Sequence, residues 1–239
     1  MQTTKSSVVS PASSNSVSAQ SHAWYRQLLV RFRAHHLLKA VGTAAYMSVF
    51  FAAYFHLMNN PMSDVTIMPV TFVDTWIPFH PLALIPYVTL WVYVSMPAAF
   101  ILDRRELIGY GWWVAGLCVA GLACFYFWPT TVRLPTADWS KHASFNILQG
   151  VNAAANACPS MHVAVALFAA FWLDRIARDI AAPGVVRAIN WLWFIAITYS
   201  TMGIKQHVFI DVVAGLALGL AFAVPSLRFR RRASRVDQA

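Results

Sequence analysis

"ACPSMHVAVALFAAFW", residues 157–172, passes from small and polar residues into a long apolar run, with His162 just inside the boundary. A second stretch, "YSTMGIKQHVFIDVVAG" (199–215), repeats that transition at His207 and adds a carboxylate, Asp211. Apolar runs of this kind recur along the chain and decide its class. Of the 239 residues, 59% are hydrophobic and 11% charged, where a soluble domain carries about 25% charged residues. Mean hydropathy is +0.54. Such a chain is counted in membrane spans of roughly 20 residues each. Its ten Trp, sixteen Phe and eight Tyr suit aromatic belts at the membrane interfaces.

Hydropathy predicts six spans, near 37–58, 82–102, 109–128, 160–177, 186–204 and 208–227. The fold class expected is therefore all-α, a six-transmembrane helix bundle. A re-entrant or surface loop joins the third and fourth helices. Residues 1–23, rich in Ser, Ala, Gln and Val, read as a disordered tail. "WYRQLLVRFRAHH" (24–36) mixes Arg with Trp, Leu and Phe and predicts an interfacial helix. Residues 37–227 form the membrane domain, its catalytic core at about 70–227, and 228–239 a basic cytoplasmic tail. Three cysteines without a plausible pairing imply no disulfide framework.

The formal net charge is +9. In a membrane protein such an excess is first a matter of orientation, because Lys and Arg collect on the cytoplasmic side; no nucleic-acid partner is expected. With both termini inside, fifteen of the eighteen Lys and Arg are cytoplasmic. The three left outside are Arg133, Lys141 and Lys205, all close in sequence to the histidine stretches. The chain is accordingly expected in the plasma (inner) membrane, with its site extracytoplasmic.

The two stretches carry the chemistry. His207 and Asp211 are four residues apart, so a helix would put them on one face. A carboxylate on one ring nitrogen fixes the tautomer and leaves the other nitrogen basic. An ionisable pair in a membrane helix is costly and usually functional. In "CPSMH", Pro159 suits the first turn of a helix, whose free N–H groups, with Ser160, can receive an anion. His162 would stand beside that anion. Two histidines, one orienting carboxylate and a phosphate-sized nest suggest phosphoryl transfer. One histidine would attack phosphorus and the other would protonate the leaving oxygen.

"CPSMHV" followed by "YSTMGIKQHVFIDVVAG" resembles the paired signature motifs of the type 2 phosphatidic acid phosphatase superfamily. Ser200, His207 and Asp211 stand at its Ser-x6-His-x3-Asp spacing. Thr201 takes the place of the Arg common after that Ser in the phosphatase branch. Together with the Cys-Pro-Ser-x-His form, this is similar to the branch containing inositol phosphorylceramide synthases. "DTWIPFHPLALIPY" (74–87) and "FYFWPTTVRLP" (125–135) look like that branch's upstream segments. The Lys-x6-Arg-Pro phosphate clamp of the phosphatase branch is absent. The resemblance implies His207 as nucleophile, Asp211 as its orienting partner and His162 as general acid. It implies Ser160 in the phosphate nest, with Arg133, Lys141 and Lys205 competing for the role of the missing clamp. It further implies a lipid phosphate or phosphodiester as substrate, and no metal or cofactor.

Two other readings compete. His162, His207 and Asp211 could bind a transition metal in a membrane hydrolase. Alternatively the His–Asp pair could merely close the bundle of a lipid-binding scaffold without enzymatic activity.

Overall fold

The computed structural model describes residues 24–132 and 155–236. Arg133 and Lys141, the loop positions around them, and the expected tail 1–23 lie outside the described residues. The chain runs through helix α1 (24–33), α2 (His36–Asn59), a two-residue strand β1 (Thr66–Ile67) and a short α3 (Phe72–Trp76). A 3-10 turn (Pro81–Ala83) leads into α4 (Leu84–Phe100), followed by α5 (Arg104–Phe127) and β2 (Thr130–Thr131). Helices α6 (Met161–Asp179), α7 (Gly184–Gly203) and α8 (Phe209–Val236) complete it. Helices dominate, as composition requires. The two short strands, paired in parallel, are an addition to an all-helical expectation.

Local sequence sets the helix ends. His35 breaks α1 from α2 with a left-handed φ of 52°, so the expected continuous 24–36 helix stops two residues short of its partner. Asp103 caps α5 by accepting from the Glu106 N–H at 2.8 Å, which carries that helix through a charged turn that hydropathy alone leaves out. At the far end α8 continues through the arginines to Val236. Four segments are long and apolar enough to cross a membrane: His36–Asn59, Pro81–Phe100, Arg104–Phe127 and Phe209–Arg228. Helices α6 and α7 are not among them. The last turns of α6 hold Asp174, Arg175, Arg178 and Asp179, and α7 carries Arg187 and Asn190.

Helix α6 is nonetheless the axis of the bundle. One face, with Phe168, Trp172 and Ile176, packs with Leu117 and Phe125 of α5. Its other face, with Ala166, Leu167 and Ala170, packs with Leu90 of α4 and Ile197 of α7. Surrounded by protein, α6 can be rich in alanine and still be buried along its length. Two of its buried polar side chains are matched: Trp172 Nε1 donates to Ser226 Oγ at 3.0 Å, and Asp174 takes Arg187 at 2.7 Å and also Arg178. The outer helices show the opposite pattern, with α2 burying only Lys39, Tyr54 and Met58.

The α6–α8 crossing is unusually close because glycine lines it. A Cβ built on Gly215 would stand 2.5 Å from the Ser160 carbonyl oxygen, and one on Gly219 2.8 Å from that of Ala164. Small residues four apart are how membrane helices bring backbones together. Gly215→Ala is expected to destabilise the protein by about 1–3 kcal/mol, the usual range for overpacking. Thermal unfolding in detergent reads this directly, and an unchanged midpoint would contradict the close crossing.

Candidate active site

The first turns of α6 and α8 meet at the same end of the bundle. Ser160 is the N-cap of α6, its side chain accepting from the Val163 N–H at 3.4 Å. Pro159 therefore lies one residue before the cap and not in the first turn. Ser160 N–H donates to the Asp211 carbonyl at 3.0 Å, which ties the start of α6 to the start of α8. On the other side, Thr130 of β2 accepts the Cys158 N–H on its Oγ1 at 2.7 Å, and Asn156 donates to the Tyr54 carbonyl at 2.8 Å. The 155–160 segment is thus held from three sides, and His162 follows in the first turn.

His207 precedes α8 rather than sharing its helical face with Asp211. Its N–H donates to the Thr201 carbonyl at 3.1 Å. Asp211 reaches back to accept the Val208 N–H at 3.1 Å, the returning half of a capping box. That cap brings Asp211 Oδ2 to 3.4 Å from His207 Nδ1. On the other side of the ring, His207 Nε2 lies 3.3 Å from His162 Nδ1. Carboxylate, imidazole and imidazole thus stand in succession, with His207 Nδ1 facing Asp211 at ion-pair distance but without a hydrogen bond. Asp211 is fully buried and His207 is 3% exposed. The His162 ring stacks on Tyr87, with ring centres 4.8 Å apart, and meets Trp91 edge-on.

Lys205 sits beside His207 in sequence, but its backbone is left-handed, with φ 61°. Its ammonium is directed onto α3, donating to the carbonyls of Asp74, at 3.1 Å, and of Ile77. Burial lowers its pKa from the usual lysine value, against the opposing pull of Asp74. Ser160, though at the expected position, is wholly buried and serves as the joint between α6 and α8. Both Ser160 and Lys205 are absent from the lining of the cleft that His162 and His207 face. Cys158 is the other reactive side chain nearby. Burial, reinforced by Asp211, pushes its thiol up to about 12, which keeps it protonated and a poor nucleophile. His80 is exposed at the start of the 3-10 turn.

Sequence reading gave no role to Asp74, and the structure makes it the hinge of the site. Asp74 is 4% exposed. One carboxylate oxygen accepts from Thr71 N–H and Oγ1 at 2.7 Å each. The other accepts the Phe209 N–H at 2.7 Å, at the positive end of α8 where an anion is favoured. Thr71-x-x-Asp74 is a capping-box spacing, the one local signal that could have marked this residue. Gln206, buried with no partner for its Nε2, lines the cleft next to His207 and was likewise missed.

The cleft itself has a volume of about 280 Å³. It starts at the two histidines and continues between α2, α4, α5 and α6. Among the described residues no group of three His, Cys, Asp or Glu side chains is arranged to hold a metal ion.

A family model described as the PAP2 superfamily matches residues 79–224, from the approach to α4 through both histidine stretches into α8. No curated protein and no solved structure matches the chain.

Proposed function

Because the chain belongs to the PAP2 superfamily, we propose that it is an integral membrane phosphotransfer enzyme using a phosphohistidine on His207. Its substrate in this reading is a lipid phosphate or phosphodiester. The observation that carries the reading is the line Asp211–His207–His162 at the mouth of an apolar cleft. Asp211 against Nδ1 leaves Nε2 of His207 as the attacking nitrogen. Nε2 forms a bond to phosphorus while the bond from phosphorus to the lipid-alcohol oxygen breaks. His162 gives that oxygen its proton. An acceptor then attacks phosphorus, His162 removes the acceptor's proton, and the electron pair of the P–N bond returns to Nε2. A phosphoryl group between the rings needs reacting atoms about 3–3.5 Å apart, so the 3.3 Å separation of the two nitrogens must widen.

The acceptor separates two outcomes. Thr201 in place of the phosphatase branch's Arg, and Lys205 turned onto α3, leave few cations beside His207 among the described residues. A monoester dianion needs more cations than a diester. This favours transfer of a phospho-headgroup from a diester to an alcohol, as in the inositol phosphorylceramide synthase branch, with hydrolysis as a side reaction. Arg133 is the cation best placed by sequence to complete the site, with Lys141 behind it. The topology that goes with this function has six spans, both termini cytoplasmic and the histidines extracytoplasmic. Its support is the collection of Arg104, Arg105, Arg175, Arg178 and Arg187 at helix ends remote in sequence from the histidines.

The test is turnover by the purified chain on a panel of lipid phosphates and phosphodiesters, with water, inositol, diacylglycerol or ceramide as acceptor. A membrane-impermeant substrate supplied to intact cells reads the side. Chelator-insensitive, vanadate-sensitive turnover is expected, with a transferred product at high acceptor. Free phosphate or free phospho-headgroup alone at every acceptor concentration contradicts the transferase reading. Loss of activity with chelator contradicts metal independence, and no turnover of any ester contradicts the function.

A further inference from the structure

The cleft at the histidines does not end beside them. Along α2 its lining runs from Phe55, near the site, back to Lys39 in the first turn. At 1.5 Å of rise per residue these positions are about 24 Å apart, most of the roughly 30 Å hydrocarbon core of a bilayer. The opposite walls are Trp91 and Val94 of α4, Val114 of α5 and Phe168 of α6. The Ser95 hydroxyl on its wall is engaged, donating to the Trp91 carbonyl at 2.8 Å. The Tyr46 hydroxyl, and the Gln206 amide at the head beside His207, are lining polar groups without a hydrogen-bond partner among the described residues. At the far end, Lys39 Nζ donates to the carbonyls of Arg31 at 2.6 Å and Ala99 at 2.8 Å. Those bonds pin the first turn of α2 to the last turn of α4 at the far end of the cleft.

Two glycines line the cleft toward that far end. Gly42 lies in the second turn of α2 and Gly111 in the second turn of α5, and both line the cleft. A Cβ built on either meets no atom within 4 Å. At Gly215 and Gly219 the missing side chain makes room for a neighbouring backbone. At Gly42 and Gly111, which line the cleft, it leaves open space.

We propose that this cleft holds one hydrocarbon tail of the lipid whose phosphate reacts at His207, and that Gly42 and Gly111 set the tail length accepted. The inference rests on the function proposed above for the head of the cleft. Its own support is the continuity of an apolar cleft with the reacting nitrogens. A tail anchored at the histidines and running toward Lys39 crosses the bilayer midplane inside the protein. Long tails are therefore selected by burial, and side chains added at the two glycines shorten the channel from its far end.

The probe is a series of n-alkylphosphonates from butyl to octadecyl, whose carbon–phosphorus bond does not transfer, presented to the full chain in mixed micelles at fixed surface concentration. Wild type is expected to bind more tightly with each lengthening to the long end of the series. Gly42→Leu and Gly111→Leu, on opposite walls, are each expected to weaken the longest members about tenfold or more, the cost of forcing a filled site apart. Both variants should bind the short members as wild type does, which also shows that they are folded. Affinity that stops rising at short chains in wild type, or long-chain binding unchanged in both variants, overturns the proposal. Length-dependent binding without turnover of any ester contradicts the function and upholds the channel. Turnover of short and long esters with equal kcat/KM does the reverse.

Discussion

Turnover by the His207→Ala protein is expected to fall about 10⁴-fold or more, the scale on which loss of a covalent nucleophile is felt. The argument is one of geometry. Cys158, the other nucleophilic side chain near the site, is kept protonated by burial. Asp211 is fully buried behind His207 and faces the wrong side of the ring to reach a group in the cleft. The residue is 3% exposed, so alanine also removes packing next to a buried carboxylate. His207→Gln separates the two effects, since it keeps much of the volume and an amide to face Asp211 but cannot form the intermediate. Both variants should be inactive, and the glutamine protein should unfold near the wild-type temperature. Steady-state rates on a verified substrate check this, and near wild-type activity in either variant contradicts covalent catalysis at His207.

His162→Ala should cost about 10²–10⁴-fold on an alkyl phosphate ester, the usual contribution of a general acid. The loss should be much smaller on a nitrophenyl ester, because nitrophenolate leaves without needing a proton. That difference distinguishes an acid from a residue that only holds the site together. A structural role predicts the same loss on both esters, since a misplaced nucleophile slows every substrate. The expected split follows from the placement of His162 Nδ1 at 3.3 Å from the attacking nitrogen, with its ring braced on Tyr87. With the activated ester the phosphoenzyme should also accumulate, because the same residue is needed to deprotonate the acceptor. Equal losses on the two esters would remove His162 from the acid role.

Much of the bundle is legible in the sequence because a membrane helix announces itself by composition. Long helices occupy the six segments read from hydropathy, but only α2, α4 with its leading 3-10 turn, α5 and α8 are long and apolar enough to cross a membrane. The errors come where charge and structure part company. The first turn of α5 is charged and is held by the Asp103 cap, so hydropathy starts that helix late. Helix α8 runs on through its arginines because nothing in "SLRFRRRASRV" stops a helix. The central role of α6 is not legible: its alanines and its Asp174 look like a weak span until the surrounding helices are in place. At the site, local motifs mark His162, His207 and Asp211, each set by short-range caps and turns. Asp74 is not marked, because its bond to Phe209 spans 135 residues of chain. Lys205 shows the limit of proximity in sequence. It stands two residues from His207, yet a left-handed backbone sends its ammonium to α3.

The most direct test of the account is to stop the reaction in alkali, where the phosphorus–nitrogen bond of a phosphohistidine survives, and locate the label. The purified chain is mixed with a donor carrying radioactive phosphorus, quenched, digested and mapped. The account predicts acid-labile, alkali-stable label on His207, more of it in His162→Ala with an activated ester, and none in His207→Gln. Label on another residue, or full turnover with His207 replaced, would contradict it.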